Sequence, residues 1–422
     1  MKFKKKTFKN GLRLITVPMK DSPTATVMVM VEAGSKYETK DIDGISHFLE
    51  HVCFKGTQKR QTAREINYEL DAIGSKSNAF TSQEYTGYYA KSHPKYIPKI
   101  LDVLSDIYLH STFPSAEIEK EKGVIIGEMN MYEDMPHVMV AYQFLKLLYG
   151  DQPAGGTILG SKEVIQNITR EDFVAYRKKH YVASATIVVV AGSFDEKKIE
   201  KQVSELFKDI STAKKHPKKK VIEKQAKPAL LIKQKKTDQA HLVIGVRTWK
   251  ASDKRNTPLA VLTAILGEGM SSRLFQKLRE EMGVGYYVRA SSDEYTDHGT
   301  FAVSAGVDTK RVKEVVVAIL DEFRKLMTIP VGDAELQKAK DYIIGTMYLG
   351  LESSDELGSF FSSQEIVKGN MKTPQEIEKE IRKVTAKDVQ TIAKAIFKNA
   401  GLNLAIIGDV KDEANILSIL KI

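Results

Sequence analysis

Cysteine is almost absent from this sequence, since Cys53 is the single one among 422 residues. One cysteine cannot form an intramolecular disulfide, and it excludes zinc sites built on four cysteines or on two cysteines with two histidines. No segment approaches the roughly 20 apolar residues that a membrane helix requires, and no apolar stretch typical of a signal peptide follows the basic start. We therefore expect a cytoplasmic protein without a membrane partner.

A strong excess of one charge is also missing. The 64 lysines and arginines stand against 54 aspartates and glutamates, a formal net charge of +10, and the excess is concentrated in runs such as Lys2 to Lys6 and Lys214 to Lys220. Such runs are usually solvated ends or linkers, so no nucleic-acid partner is expected. A basic nucleic-acid binder remains a rival hypothesis that rests on these runs alone, and failure to retain DNA at low salt would remove it.

The order of short strands and long amphipathic helices predicts an α+β fold. Runs such as 12–17, 26–31 and 85–91 have strand character, and helical patterns are interleaved with them. The lysine-rich stretch 208–228 has two prolines and little apolar content, as is typical of an exposed linker. We expect a first domain over residues 1–207, this linker, and a second domain over 229–422, each a mixed or antiparallel sheet covered by helices.

An internal duplication is indicated by two nearly equal offsets. The segment 117–129 matches 335–347 at a spacing of 218, keeping lysines, an Ile-Ile-Gly run and a methionine. Three further residues recur at a spacing of 216: Thr169, Asp172 and Gly192 match Thr385, Asp388 and Gly408. Chance similarity between two amphipathic helices is the alternative, but the order of elements also agrees. The copies differ where Glu121 and Glu128 are replaced by Ala339 and Thr346.

A motif with metal-ligand spacing lies in the segment 41–56, which has the polar start, apolar middle and glycine stop of a helix. It contains His47, Glu50 and His51. Histidines at positions i and i+4 share one helix face and can bind one small cation, and the glutamate at i+3 points toward the same side. This is the HxxEH pattern, in which the glutamate serves as general base. Two hydrogen-bonded histidines on a half-buried helix are the simpler alternative.

Two imidazoles leave a catalytic zinc one protein ligand short, so a carboxylate is needed from elsewhere. The helix predicted over Ser115 to Asp134 offers Glu117, Glu121 and Glu128, and the last two share a face two turns apart. A charged pair on an amphipathic helix is usually just solvated surface. The absence of both acids from the second copy favours a function instead.

These residues resemble the insulinase/pitrilysin (inverzincin) family of zinc peptidases. The resemblance rests on the sequence His-Phe-Leu-Glu-His over 47–51, on Phe-Lys-Gly-Thr over 54–57, and on Glu128, which follows His51 by 77 residues. It is strongest to the short branch that includes the mitochondrial processing peptidase beta subunit and bacterial homologues. The resemblance implies one Zn²⁺ per chain bound by His47, His51 and Glu128, with Glu50 as general base on zinc-bound water.

The resemblance also implies supporting residues. Glu121 would be a carboxylate that supports the site, although Lys122 stands where the family usually has arginine. Phe54 and an edge strand with Asn78 and Ala79 would contact the substrate.

In the second half, Arg279 and Tyr286, seven residues apart, would bind substrate carbonyls or steady the oxyanion. Tyr286 is preferred over Tyr287 by spacing alone.

Because one half carries the zinc residues and the other carries Arg279 and Tyr286, the resemblance implies two subunits that face each other. We expect a homodimer enclosing a chamber in which short or unfolded peptides are cleaved by a zinc endopeptidase. The alternative is a non-catalytic partner or scaffold subunit of a peptidase complex, because some relatives have lost the ligands or the base.

Overall fold

The computed structural model describes residues 2–411 and 413–422. They form two compact units. Unit 1 consists of the residues up to Asn130, Thr157–Lys219 and Leu349–Thr373; unit 2 consists of Met131–Gly156, Lys220–Tyr348 and Pro374–Ile422. Each unit is therefore assembled from three separate stretches of the chain.

Unit 1 is built on a mixed sheet. Its strands are β1 (Lys4–Thr7), β2 (Arg13–Pro18), β3 (Ala25–Val31), β4 (Lys76–Thr81), β5 (Thr86–Ser92) and β6 (Thr186–Gly192). They lie in the order β1-β2-β6-β3-β5-β4, with β2 and β6 parallel and the other pairs antiparallel. The central strands β3 and β6 are buried along their whole length, as their continuous apolar runs require. Strand β4 is the outermost strand on its side.

Unit 2 contains a second sheet with the same plan. Its strands are β7 (Ala229–Gln234), β8 (Ala240–Thr248), β9 (Gly285–Glu294), β10 (Gly299–Val307) and β11 (Asn403–Gly408), in the order β7-β11-β8-β10-β9. Strands β7 and β11 are parallel and the other pairs antiparallel. Strands β2, β6, β3, β5 and β4 of unit 1 thus have their counterparts in the same order. The predicted α+β fold with an internal duplication is confirmed.

The helices cover these sheets. They are α1 (Ile45–Cys53), α2 (Ala63–Asp71), α3 (Ile97–His110), α4 (Ser115–Glu133), α5 (Pro136–Tyr149), α6 (Lys162–Asn167), α7 (Arg170–His180), α8 (Glu196–Leu206), α9 (Asn256–Gly267), α10 (Arg273–Phe275), α11 (Val312–Thr328), α12 (Asp333–Leu349), α13 (Ser354–Lys368), α14 (Pro374–Arg382), α15 (Ala386–Ile396) and α16 (Glu413–Ile419). A π-helical turn, Gln276–Glu281, follows α10. Within the described residues, no helix has both the length and the apolar content needed to cross a bilayer.

One helix in each unit comes from the other half of the sequence. In unit 1, α13 packs on β3 and β6, and the hydroxyls of Ser354 and Thr26 lie 2.8 Å apart. In unit 2, α5 packs on β8 and β11, where Phe144 and Val243 share one apolar cluster. The exchange is symmetrical, because α5 and α13 begin 218 residues apart, the offset of the duplication. The domain boundaries predicted at 207 and 229 were placed by the sequence repeat. The boundaries of the compact units depend instead on which elements pack together.

The lysine-rich stretch 208–228 divides between the two units at Lys219. On the unit 1 side, Lys218 Nζ lies 3.0 Å from Glu84 Oε1, and the Lys218 side chain is only 13% exposed. On the unit 2 side, Gln225 Nε2 donates to the carbonyl of Leu402 at 3.1 Å. Part of the stretch is therefore packed against the units.

Candidate metal centre

Helix α1 carries the HxxEH residues, and a distant carboxylate holds its first turn. The N-cap residue, Gly44, has φ +94°, a left-handed conformation that favours glycine, and it has no side chain to cap the helix. Glu38 replaces that cap: its Oε2 accepts from the Gly44 N–H at 2.7 Å and its Oε1 from the Ser46 N–H at 2.8 Å. Glu38 is 4% exposed, and burial raises its pKa to about 8. The turn that contains His47 is thereby fixed.

The structure brings together three side chains with ligand atoms. His47 Nε2 and His51 Nε2 lie 3.2 Å apart, and Glu128 Oε2 lies 3.6 Å from the first and 3.9 Å from the second. His47 is buried, and Glu128 reaches across from α4. Among the described residues, this is the one group of three or more His, Cys, Asp or Glu side chains close enough to hold a metal ion.

The spacing of these atoms fits a divalent cation. Nitrogen and oxygen ligands about 2.0–2.1 Å from a tetrahedral zinc lie about 3.3 Å from one another. The three observed separations, 3.2, 3.6 and 3.9 Å, are close to that value. Three protein ligands leave the fourth position to water or substrate, as in catalytic sites. Two imidazoles and one carboxylate are also a donor set that zinc accepts.

Glu121 sets the tautomer of one imidazole. Its Oε1 lies 2.9 Å from His51 Nδ1, and because a carboxylate only accepts, Nδ1 carries the hydrogen and Nε2 keeps its lone pair toward His47 and Glu128. The other oxygen, Oε2, is 2.6 Å from Lys55 Nζ. The hydrogen bond to His51, followed by the ion pair with Lys55, lowers the pKa of Glu121. This buried carboxyl is therefore ionised.

The two histidines have different protonation behaviour. Burial, with a smaller contribution from His51, lowers the pKa of His47 to about 4, so its imidazole is neutral and able to bind a metal. Burial alone would lower the pKa of His51 as well, but the hydrogen bond to Glu121 and the neighbouring carboxylates outweigh it and raise that pKa. A metal must displace a proton from His51 whenever this imidazole is charged. Metal binding should therefore become tighter as the pH rises.

Glu50 points toward the same site from α1 and is held from a neighbouring strand. Thr81 Oγ1, on β4, donates to Glu50 Oε2 at 2.6 Å. Burial raises the pKa of Glu50 despite this hydrogen bond. A raised pKa brings a carboxylate closer to the range in which a general base works at neutral pH.

The predicted substrate-contacting residues also belong to unit 1. Asn78 and Ala79 are on the edge strand β4, where Asn78 is exposed and its Oδ1 accepts from the Ala79 N–H at 2.9 Å. Phe54, directly after α1, is half-buried with its ring 6.1 Å from that of Tyr88. An outermost strand has backbone groups to which an extended peptide can pair.

Arg279 and Tyr286 belong to unit 2, whereas the metal-ligating candidates belong to unit 1. The two lie next to each other, with Arg279 Nη1 donating to the Tyr286 carbonyl at 3.4 Å. Arg279 lies on the π-helical turn, a feature frequent at functional sites. The Tyr286 side chain is 61% exposed, whereas the Tyr287 hydroxyl is 3.1 Å from His241 Nδ1. This difference supports Tyr286 as the residue available to a ligand.

Three residues of the site have roles that were not predicted from the sequence. Lys55 follows His51 by four residues, and this spacing could have indicated that both side chains contact Glu121. Thr81 alternates with Ala79 along β4, which places it on one face of the strand but does not identify its partner. Glu38 has no signal, because nothing in the sequence links it to a helix that begins seven residues later.

Two family models together match most of this chain. The family model described as Insulinase (Peptidase family M16) matches residues 13–162, and that described as Peptidase M16 inactive domain matches 167–343. A protein of Bacillus subtilis (strain 168) named uncharacterized zinc protease YmxG is 34% identical over 402 residues, covering 93% of this chain and 95% of its own. The chain belongs to the insulinase family, peptidase family M16.

Another relative and a solved structure also match nearly the whole chain. A Streptomyces coelicolor protein named uncharacterized zinc protease SCO5738 is 32% identical over 414 residues, covering 96% of this chain and 90% of its own. The solved structure described as a protease from Helicobacter pylori has a TM-score of 0.89 and 23% identity, covering 96% of this chain and 99% of that one. At that identity the likeness supports the M16 fold alone. The metal-site residues lie in the segment matched by the insulinase model, and Arg279 and Tyr286 lie in the inactive-domain match.

Proposed function

We propose that this chain is a zinc-dependent endopeptidase that hydrolyses short or unfolded peptides. The observation that carries the proposal is the convergence of His47, His51 and Glu128 at separations suited to one small cation, with the Glu50 carboxyl near enough to interact electrostatically with His51 and Glu128. Zinc is proposed because the M16 relatives are named zinc proteases and because the donor set fits it. One cation per chain is proposed because the described residues contain one such cluster.

The residues would act as follows. His47, His51 and Glu128 would hold zinc, which would supply Lewis-acid chemistry toward the scissile carbonyl and the attacking water. Glu50, with Oε2 occupied by Thr81, accepts the proton of the attacking water on Oε1. As the C–O bond forms and the C–N bond breaks, Glu50 returns that proton to the leaving amine. Glu121 keeps His51 in the tautomer with Nε2 free.

We propose that a second subunit completes the site. By the family resemblance, Arg279 and Tyr286 of one subunit would serve the partner's metal centre, where they would bind substrate carbonyls and steady the oxyanion. Both sets of residues are present in this chain, so a homodimer around a closed chamber is the proposed assembly. The proposed location is the cytoplasm, in keeping with a single cysteine, which is fully buried.

The first experiment measures zinc and turnover together. Purified wild type is expected to contain one zinc and to cleave an unstructured fluorogenic peptide, with loss of activity in chelator and recovery on adding zinc. Glu50→Gln should retain zinc and lose nearly all turnover, whereas His47→Ala or Glu128→Ala should lose the metal as well. Equal cleavage rates for wild type and Glu50→Gln would refute the proposed base. A protein that binds zinc but cleaves no peptide would support the scaffold alternative.

The assembly is tested separately. Sedimentation should show a dimer that carries the activity, and mixing Glu50→Gln with Arg279→Ala should restore turnover, because one of the two sites in a mixed dimer is then intact. A fully active monomer would refute the two-subunit proposal while leaving the metal chemistry unaffected. Neither variant alone should approach the activity of the mixture.

A further inference from the structure

A hydroxyl on the edge strand holds the proposed catalytic base. Thr81 Oγ1 lies 2.6 Å from Glu50 Oε2, which is the distance of a hydrogen bond to an ionised oxygen. When Glu50 is ionised, as a general base must be, the donor is the hydroxyl, because a carboxylate has no hydrogen to give. Such charge-assisted hydrogen bonds are about twice as strong as neutral ones.

The neighbouring hydroxyl does not compete for this contact. Thr86 faces Thr81 in the register between β4 and β5, and the two Oγ1 atoms are 3.5 Å apart. Thr86 Oγ1 also lies 3.0 Å from the carbonyl of Ala33, to which it donates. At 3.5 Å, Thr86 Oγ1 is a much poorer acceptor than Glu50 Oε2 at 2.6 Å, so the single hydrogen of the Thr81 hydroxyl goes to Glu50.

We infer that Thr81 is a positioning residue for Glu50 that couples the edge strand to the base. The inference rests on the proposed function and deepens it. With Oε2 occupied by Thr81, the carboxylate cannot rotate freely, and Oε1 is left to exchange the proton. Because Thr81 ends the strand that carries Asn78 and Ala79, an extended peptide paired along β4 is held by the same backbone that orients the base.

The test removes the hydroxyl without changing the shape of the side chain. Thr81→Val keeps both branches at Cβ and the strand propensity, whereas Thr81→Ser keeps the hydroxyl and loses the methyl. Thr81→Val should lower kcat about 10- to 100-fold, the range for a lost hydrogen bond to a charged group, with KM and bound zinc close to wild type. Thr81→Ser should restore most of kcat.

Two kinetic outcomes would overturn the inference. One is an unchanged kcat in Thr81→Val, whether or not KM changes, and the other is an equal loss of kcat in Thr81→Val and Thr81→Ser, which would point to packing. Crystal structures of wild type and Thr81→Val add a readout that needs no activity: the Glu50 carboxylate should be displaced or split between rotamers in the variant. An unmoved carboxylate would overturn positioning even if kcat fell.

The failure of the proposed function gives a different pattern. In that case wild type itself cleaves no peptide in zinc, and the crystallographic comparison alone decides whether Thr81 positions Glu50. If wild type cleaves and Thr81→Val behaves like it, only the positioning role is lost.

Discussion

Replacing Glu121 by glutamine should weaken zinc binding while leaving all three proposed ligands in place. The substitution removes the negative charge that His51 Nδ1 and Lys55 Nζ contact at 2.9 and 2.6 Å. An amide can present its NH₂ group to Nδ1 and favour the wrong tautomer, with the hydrogen on the ligating Nε2. Loss of such a supporting carboxylate costs about 10- to 100-fold in metal affinity, or about 1.4–2.8 kcal/mol.

The assay is competition for zinc against a chromophoric chelator at fixed pH, with the folded state checked by circular dichroism. Glu119→Gln is the matched control, because it makes the same change on the same helix. The Glu119 side chain is 68% exposed and pairs with Lys122 at 2.7 Å, so this variant should bind zinc within about twofold of wild type. Glu121→Gln with wild-type affinity would refute the assigned support of His51.

Three further predictions concern a buried histidine, the ion pair between Lys55 and Glu121, and the core of unit 2. Because burial holds the pKa of His180 at about 4, against about 6.5 when unfolded, the unfolded state gains its proton first as the pH falls. His180 should therefore lower the free energy of unfolding by about 2 kcal/mol between pH 7 and pH 5, and urea unfolding in chelator should show a pH-dependent loss that is smaller by that amount in His180→Phe than in wild type. Lys55→Met should weaken zinc binding about 3- to 10-fold in the competition assay, less than Glu121→Gln, and an unchanged affinity would show that the carboxylate is held without the ammonium. Phe323→Ala, in the core of unit 2, should cost about 3–5 kcal/mol in urea unfolding, against under about 1 kcal/mol for Val317→Ala on the more exposed face of α11.

Local signals predicted local structure well. Thr169 and Asp172, which the repeat singled out, form a capping box at the start of α7 in the structure. The same pair recurs as Thr385 and Asp388 at the start of α15, so the repeat could be found from capping residues and their spacing. The pairing of His47 with His51 is equally local, since four residues span one helical turn.

Long-range placement could not be read in the same way. An amphipathic pattern shows that a helix buries one face, but not which sheet receives it, so the exchange of α5 and α13 between the units has no signature in either helix. The contact between Thr81 and Glu50 likewise depends on how α1 packs against β4. Comparing the two copies singled out Glu121 and Glu128 together, and the family resemblance alone made Glu128 the expected ligand.

The second copy serves as an internal control for the chemistry. At the position equivalent to Glu121, unit 2 has Ala339, which is buried in its apolar core, and at the position of Glu128 it has Thr346, whose hydroxyl donates to the Tyr342 carbonyl of its own helix at 2.9 Å. The sheet order is the same in both units, so the fold does not require either acid. A carboxyl that is 6% exposed costs several kcal/mol unless it is paired, and Glu121 obtains its partners only from the residues around the metal site. A helix with a structural role alone would not need this buried carboxyl, as the equivalent helix of unit 2 shows. Its presence in unit 1 is explained if Glu121 supports a binding centre.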